Sequence, residues 1–331
     1  MILGSRQPPP VSVIVTVKNE ERSLAALLDS LLAQTLPPAE VVVADGGSTD
    51  NTVPLLERYV STGAPLRVLS VPGANISQGR NAAIATARNE IVASTDAGVR
   101  LEPEWLAELA RPFAQSDPPD VVCGFFRPDP RSTFETALGA TTLPDLRDVD
   151  PTRFLPSSRS VAFTRSAWRR AGGYPEWLDY CEDVVFDLRL RELGCRFAFA
   201  PNALAHFRPR PHLRAFFLQY YRYARGDGKA GLFAKRHLVR YAVYSVGPLA
   251  FLAGFWYKLL WVPLALAAGA YLWKPYRRLL PALQGAGLPR KASALALVPI
   301  IRLVGDVAKM IGYPVGLRWR CQHRGGRDWR V

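Results

Sequence analysis

Cysteine and histidine are scarce in this 331-residue chain, four of each, and neither is clustered. Cys123, Cys181, Cys195 and Cys321 form no C-x-x-C pair, so neither a disulfide framework nor a zinc site is indicated, and a reducing location is expected. The opening MILGSRQPPP lacks the apolar stretch of a signal peptide, which predicts that the leading domain is not exported. The first strand-like run passes into Val17-Lys18-Asn19-Glu20-Glu21 without G-x-G-x-x-G, an absence that argues against a nicotinamide-dependent dehydrogenase. Internal repeats and low-complexity segments are also missing. Acidic residues are scarce in one part only. Residues 1–200 hold 20 Lys+Arg and 25 Asp+Glu, a net charge of −5, whereas residues 201–331 hold 22 and 3, a net charge of +19. The basic tail alternates with apolar and aromatic runs, which suits an anionic membrane surface better than a duplex groove. No zinc-finger, basic-zipper or RNP-like pattern is present, so nucleic acid is not an expected partner.

What is present in the first half is a repeated alternation. Val11 to Val17 is a β-branched run bounded by Pro8-Pro9-Pro10, and Leu24, Leu27, Leu28, Leu31 and Leu32 follow at helical spacing. The pattern recurs at 41–44 with 53–60, 66–71 with 79–87, and 91–95 with 103–113. Strands separated by helices of this length predict an α/β fold, a Rossmann-like, mostly parallel sheet with helices on both faces. Ligands bind such sheets beyond the carboxyl ends of the strands, where Lys18-Asn19-Glu20, Asp45-Gly46-Gly47-Ser48-Thr49-Asp50 and Asp96-Ala97-Gly98 all fall. Residues 121–200 are less regular, with one clear helix near Asp183 to Leu193 and a short strand at Phe197 to Ala200.

The character changes after residue 210. Leu213, Phe216, Phe217, Tyr220 and Tyr221 lie at i, i+3, i+4, i+7 and i+8, which predicts an amphipathic interfacial helix within 211–240. Residues 241–273 are nearly all apolar or aromatic apart from Lys258. They predict either a membrane hairpin hinged at that lysine or a single crossing, and the flanking Arg236, Arg240, Lys274, Arg277 and Arg278 favour the hairpin. The basic tail at 274–331 contains a helix at 292–311 with Arg302, Asp306 and Lys309 on one face, read as lying in the interface or packed on the leading domain.

The run VSVIVTVKNEERSLAALLDSLLAQTLPPAEVVVADGGSTDNT resembles the opening of family 2 glycosyltransferases, a large inverting group with the GT-A fold. GRNAAIATARNEIVASTDAG, AFTRSAWRRAGGYPE, EDVVFDLRLRELGCRF and FLQYYRYARGDGKA follow in that family's order, covering about residues 11–230. The resemblance implies a GT-A catalytic domain at 1–210 that moves a sugar from a nucleoside-diphosphate sugar, with UDP the expected nucleotide, to a lipid-linked or glycan acceptor. The tail is similar to that of members building bacterial cell-surface polysaccharides. It implies membrane lipids as partners, at the inner membrane with the catalytic domain facing the cytoplasm.

Site residues carry over by position. Asp45 ends a strand at a Gly-rich turn, where its carboxylate can accept from a base N–H, and in the family the matching residue contacts the nucleotide base; Thr16, Lys18, Asn19 and Glu20 border that pocket. Read locally, the same string is a β-turn with capping residues. Arg80 in Gly79-Arg80-Asn81 opens a helix, where a cation and helix N–H groups can meet a diphosphate; the plainer alternative is a surface arginine. Asp96-Ala97-Gly98 stands where the family has D-x-D, whose carboxylates hold Mg²⁺ or Mn²⁺. Gly98 removes the second carboxylate, leaving Asp96 for metal or ribose, with His206 as a further metal ligand by analogy. Glu182-Asp183 matches the family's E-D pair, which implies Asp183 as catalytic base and Glu182 as its support, although acidic residues also favour helix N-termini. Asp187 and Arg191 read as a structural i, i+4 pair. Gln219, Arg222 and Tyr223 resemble Q-x-x-R-W with tyrosine for tryptophan, implying acceptor or phosphate contact. The competing reading is a catalytically impaired nucleotide-binding partner of another glycosyltransferase, against which the retained Glu182-Asp183 argues.

Overall fold

The computed structural model describes residues 7–323. They divide into two compact units, one of residues 7–127 and 146–207, the other of 128–145 and 208–323.

The first unit is built on β1 (Val11–Val17), α1 (Leu24–Leu32), β2 (Glu40–Asp45), α2 (Thr52–Ser61), β3 (Leu66–Ser70), α3 (Ile76–Thr86) and β4 (Ile91–Asp96). The short β5 (Val99–Leu101) and α4 (Trp105–Ala110) come next, then β6 (Val121–Pro128). Residues 133–142 form α5 (Thr133–Thr142), which belongs to the second unit; β7 (Val161–Thr164), α6 (Arg165–Arg170), α7 (Glu182–Glu192) and β8 (Phe197–Phe207) complete the first. The eight strands form one sheet in the order β3-β2-β1-β4-β7-β6-β8-β5. The β-branched cores of β1 and β2 and the inner residues of β4 are buried on both faces, as helical crossovers require. Leu24, Leu27, Leu28 and Leu31 of α1 join one face and Ala83 and Ile84 of α3 the other.

The sheet is mixed, not mostly parallel. β3, β2, β1 and β4 pair in parallel, but β7 pairs antiparallel with both β4 and β6, and β5 antiparallel with β8. Strands joined by helical crossovers run parallel, and that regime ends where the 121–207 segment returns through loops and short helices.

In the second unit α5 is joined by α8 (Leu213–Ala230), α9 (Ala234–Ala253), α10 (Trp261–Ala282) and α11 (Leu288–Gln322). No helix among the described residues is long and apolar enough to cross a membrane, which corrects the crossing expected at 241–273. The reason lies in where the charges fall. Lys235, Arg236, His237 and Arg240 occupy the start of α9, and in α10 the run from Trp261 ends at Trp273 before Lys274 and Pro275. Those 13 residues of α10 span about 20 Å, against a hydrocarbon core of about 30 Å. Instead Leu249 on α9, Leu266 on α10 and Phe255, Trp256 and Leu259 between them are exposed at 63–82%. The helix expected at 292–311 is longer at both ends and packs along α8.

That packing depends on missing side chains. A Cβ on Gly316 would lie 2.1 Å from the Arg225 carbonyl oxygen and 2.7 Å from the Lys229 nitrogen; one on Gly312 would lie 2.2 Å from the Tyr221 carbonyl oxygen. These are backbone atoms of α8, so no rotamer change makes room. Gly316→Ala is therefore expected to lower stability by about 1–3 kcal/mol, read from the thermal or urea unfolding midpoint.

Candidate active site

The carboxyl end of β1 lies between two acidic strand ends. Val17 is in register with Asp45 on β2, and Thr16 with both Ala44 on β2 and Asp96 on β4. Helix α3 comes close to this point: a Cβ on Gly79 would sit 3.1 Å from Thr16 Cγ2. The helix begins earlier than the Gly79-Arg80-Asn81 string suggests, because Asn75 and Gln78 form a reciprocal capping box that starts it at Ile76. Arg80 is thus in the second turn and faces inward.

Arg80 is the hub of the site. Its side chain is buried, Nη1 donating to Glu182 Oε1 at 2.7 Å and Nη2 to Asp96 Oδ1 at 2.8 Å, with the guanidinium 5.3 Å from the Tyr174 ring centre. Burial alone would lower its pKa, but Asp96 and Glu182 outweigh that and raise it. Asp96 is also approached by Arg159, Nε to Oδ2 at 3.5 Å, whose guanidinium lies 4.6 Å from the Phe207 ring centre. Arg80, expected as a diphosphate contact, here joins two carboxylates.

Glu182 and Asp183 occupy the first turn of α7, preceded by Cys181 in the left-handed region at φ 64°. Strain at a non-glycine residue of this kind is retained where the surroundings fix the chain direction. Tyr174 stacks on Phe186 at 4.3 Å, and Phe186 meets Phe163 at 5.3 Å, so the helix rests on aromatic packing. Glu182 is 7% exposed, and burial and the charge of Asp183 push its carboxyl up to about 7 against the lowering by Arg80. Asp183 is half-buried, accepting from the Val184 N–H at 2.9 Å. One carboxylate is thus locked by an ion pair and its neighbour is accessible.

Asp187 does not pair with Arg191, which donates to the Thr152 and Phe154 carbonyl oxygens. It is 3% exposed with Oδ2 unpartnered, and burial, then Asp183, push its carboxyl well above the ordinary range. Because the folded-state pKa exceeds the unfolded one, its contribution to stability is lost as pH rises through the folded value. Asp187→Leu is expected to stabilise the chain by about 1–3 kcal/mol near neutral pH, a gain that shrinks on acidification, when the wild-type carboxyl is neutral. Unfolding curves across the acid range measure it.

The Asp45 loop is self-satisfied. Asp45 is 4% exposed and accepts from the Gly47 N–H at 3.1 Å, the Ser48 N–H at 3.1 Å and the Ser48 hydroxyl at 2.5 Å. Asn19, at φ 57°, donates its N–H to Ser48 Oγ and accepts from the Thr49 N–H, and the Glu20 N–H donates to Thr52 Oγ1. Lys18 is exposed beside this loop. Thr16, Lys18, Asn19, Glu20 and Asp45 are therefore brought together at the ends of β1 and β2.

A cation site built by the protein does not fit these residues. Asp96 is engaged by two guanidinium groups, Gly98 offers no carboxylate, and His206 Nε2 is 2.6 Å from Glu102 Oε1. Among the described residues no group of three or more His, Cys, Asp or Glu is gathered for a metal. Asp96 and His206, expected to hold Mg²⁺ or Mn²⁺, are not part of such a group among the described residues. Gln219, Arg222 and Tyr223 lie on α8 in the second unit, where Gln219 donates to the Tyr223 hydroxyl at 2.7 Å. Arg159 was missed in the sequence: Ser157-Ser158-Arg159-Ser160 carries no periodic signal, and its partner lies 63 residues away.

Residues 12–172 match a family model described as Glycosyl transferase family 2, and residues 95–301 one described as Glycosyl transferase family group 2. The chain is 27% identical over 214 residues to the uncharacterized glycosyltransferase EpsJ of Bacillus subtilis (strain 168), covering 62% of each chain, less than two thirds of that relative's length. It is 27% identical over 254 residues to the succinoglycan biosynthesis protein ExoA of Rhizobium meliloti (strain 1021), covering 72% of this chain and 76% of that one. Among solved structures it is similar to the mannosyltransferase PcManGT from Pyrobaculum calidifontis in complex with GDP-Man and Mn²⁺, with a TM-score of 0.55, 22% identity, and coverage of 96% and 88%, a likeness of fold.

Proposed function

The chain belongs to the family 2 glycosyltransferases, and we propose that it transfers a sugar, with inversion, from a nucleoside-diphosphate sugar to a lipid-linked or glycan acceptor in polysaccharide synthesis. The observation that carries this reading is the half-buried Asp183 beside Glu182, which Arg80 ties to Asp96 at the end of β4. The acceptor hydroxyl oxygen bonds to the anomeric carbon as the bond from that carbon to the diphosphate oxygen breaks. The hydroxyl proton passes to Asp183, and the electron pair leaves with the diphosphate. Glu182 and Arg80 are positioning residues that fix α7 against β4. Asp96 faces the donor ribose, while Asp45 shapes the base pocket that Thr16, Lys18, Asn19 and Glu20 border.

The likeness to ExoA, named for succinoglycan biosynthesis, supports this substrate class, with UDP the nucleotide tried first. The basic second unit, with its exposed apolar side chains, is read as seated on the cytoplasmic face of the inner membrane, close to a lipid-anchored acceptor. Gln219, Arg222 and Tyr223 are assigned to acceptor or phosphate contact on the same reading. Incubating the detergent-solubilised chain with a panel of nucleotide sugars and a polyprenyl-linked acceptor, with and without Mn²⁺, tests it. Turnover of one donor is expected, and failure to bind any nucleotide sugar would overturn it.

A further inference from the structure

Residues 208–323 contain two acidic residues, Asp227 and Asp306, among many lysines and arginines. Both lie in a single network. Asp306 on α11 is 6% exposed and accepts from Arg240 Nε at 2.8 Å through Oδ1, with Lys309 Nζ 3.9 Å from the same oxygen. Its Oδ2 accepts from the hydroxyls of Tyr244, at 3.1 Å, and Tyr271. Arg240 continues to His237, whose other ring nitrogen is 3.3 Å from Asp227. Arg302, one helical turn before Asp306, lies 4.7 Å over the Tyr271 ring, and its Nε is closed off from solvent without a hydrogen-bond partner.

The charges do not balance. Arg240 and Lys309 lie within 4.0 Å of one carboxylate, Asp306, with Arg302 over Tyr271 one turn away, so positive charge exceeds negative around Asp306 in a largely desolvated place, and burial first of all lowers the Lys309 ammonium to about 8. Such an excess is costly unless an anion completes it. The place is also not closed. Tyr271 is 42% exposed, and Val243 on α9, Leu266 on α10 and Leu303 and Val307 on α11 are exposed apolar residues. A cationic cluster among apolar side chains presented outward matches the boundary of a bilayer, where phosphates lie beside hydrocarbon.

We infer that Arg240, Arg302 and Lys309 form an oxyanion site for the phosphate of a lipid headgroup, entered between the exposed apolar residues of α9, α10 and α11. A phosphodiester supplies negative charge against that excess. The half-buried Arg302 guanidinium supplies the donor, while the two tyrosine hydroxyls keep one Asp306 oxygen satisfied as the phosphate approaches. The inference rests on the membrane seat proposed above but not on any sugar transfer, so its test reads lipid binding alone.

The test is co-sedimentation of the full chain with phosphatidylcholine vesicles, with and without phosphatidylglycerol, for wild type, Arg302→Gln and Arg290→Gln, the last removing an exposed charge from the same helix. Arg302→Gln leaves Arg240, Lys309, Tyr244 and Tyr271 in place around Asp306, and its thermal midpoint reports whether the bundle is intact. Affinity for anionic vesicles is expected to fall about tenfold or more in Arg302→Gln, but only about threefold to fivefold in Arg290→Gln. Equal losses would overturn the site in favour of diffuse attraction. Calorimetry with inorganic pyrophosphate separates the sources: Arg302-dependent binding of pyrophosphate without Arg302-dependent vesicle binding would overturn the lipid assignment.

Discussion

Asp183→Asn is expected to lower the rate of sugar transfer by about a thousandfold, within the range of about 10²–10⁴ that a positioned base contributes, while donor affinity stays close to wild type. The substitution keeps the shape of the side chain and the bond from the Val184 N–H but removes the group that takes the proton. The reason to single out Asp183 over Glu182 is geometric: Glu182 is spent on Arg80 inside the protein, whereas Asp183 is half-buried and accessible. Single-turnover rates with the active nucleotide sugar, set against equilibrium donor binding, distinguish loss of the base from loss of the site. Unchanged turnover would remove Asp183 as base and favour the reading in which the chain binds nucleotide without transfer.

Arg80→Met is expected to destabilise the chain by about 3–5 kcal/mol, the usual consequence of stranding a buried charge. Most of that loss comes from Glu182, which is far less exposed than Asp96, with side chains 9% and 27% accessible. The sign with pH follows. Glu182 has a folded-state pKa raised to about 7 even with Arg80 present, and loss of the cation raises it further, so the deficit is largest in alkaline solution. It shrinks as pH falls and the stranded carboxyl takes up a proton. Urea unfolding across this range measures the deficit. Arg80→Met combined with Glu182→Leu is expected to recover part of it, which an uncoupled pair of sites would not do.

The parallel half of the sheet was legible because β1, β2 and β4 are continuous runs of buried residues with polar clusters at their carboxyl ends, and β1 and β2 are each followed by a helix with buried leucines. The antiparallel half was not. β7 is four residues long, β6 carries Gly124 and ends on Arg127-Pro128, and β8 continues through Pro201 and Asn202, which end a strand in any reading by local preference. In the site, the identities of Asp96, Glu182 and Asp183 were readable from their order along the chain. The partnership of Arg80 was not, because whether an arginine near a helix start points to solvent or inward depends on where the helix begins. That was set by the Asn75–Gln78 capping box. In the tail the break expected at Lys258 is present as a turn at Lys258–Leu260, but the apolar stretches on either side of it are too short to cross a membrane.

The glycine contacts between α8 and α11 bear on how the chain reaches this state as it is made. The two helices are separated by 57 residues, 231–287. At about 5–20 residues per second, α8 therefore waits about 3–12 s on the ribosome before its partner begins to emerge. During that interval the backbone stripe meant for Gly312 and Gly316 is uncovered, together with Phe216 and Tyr220, which pack beside it. The second unit consequently depends on the synthesis of α11, and a chain released before that helix is finished leaves α8 without the surface that holds it.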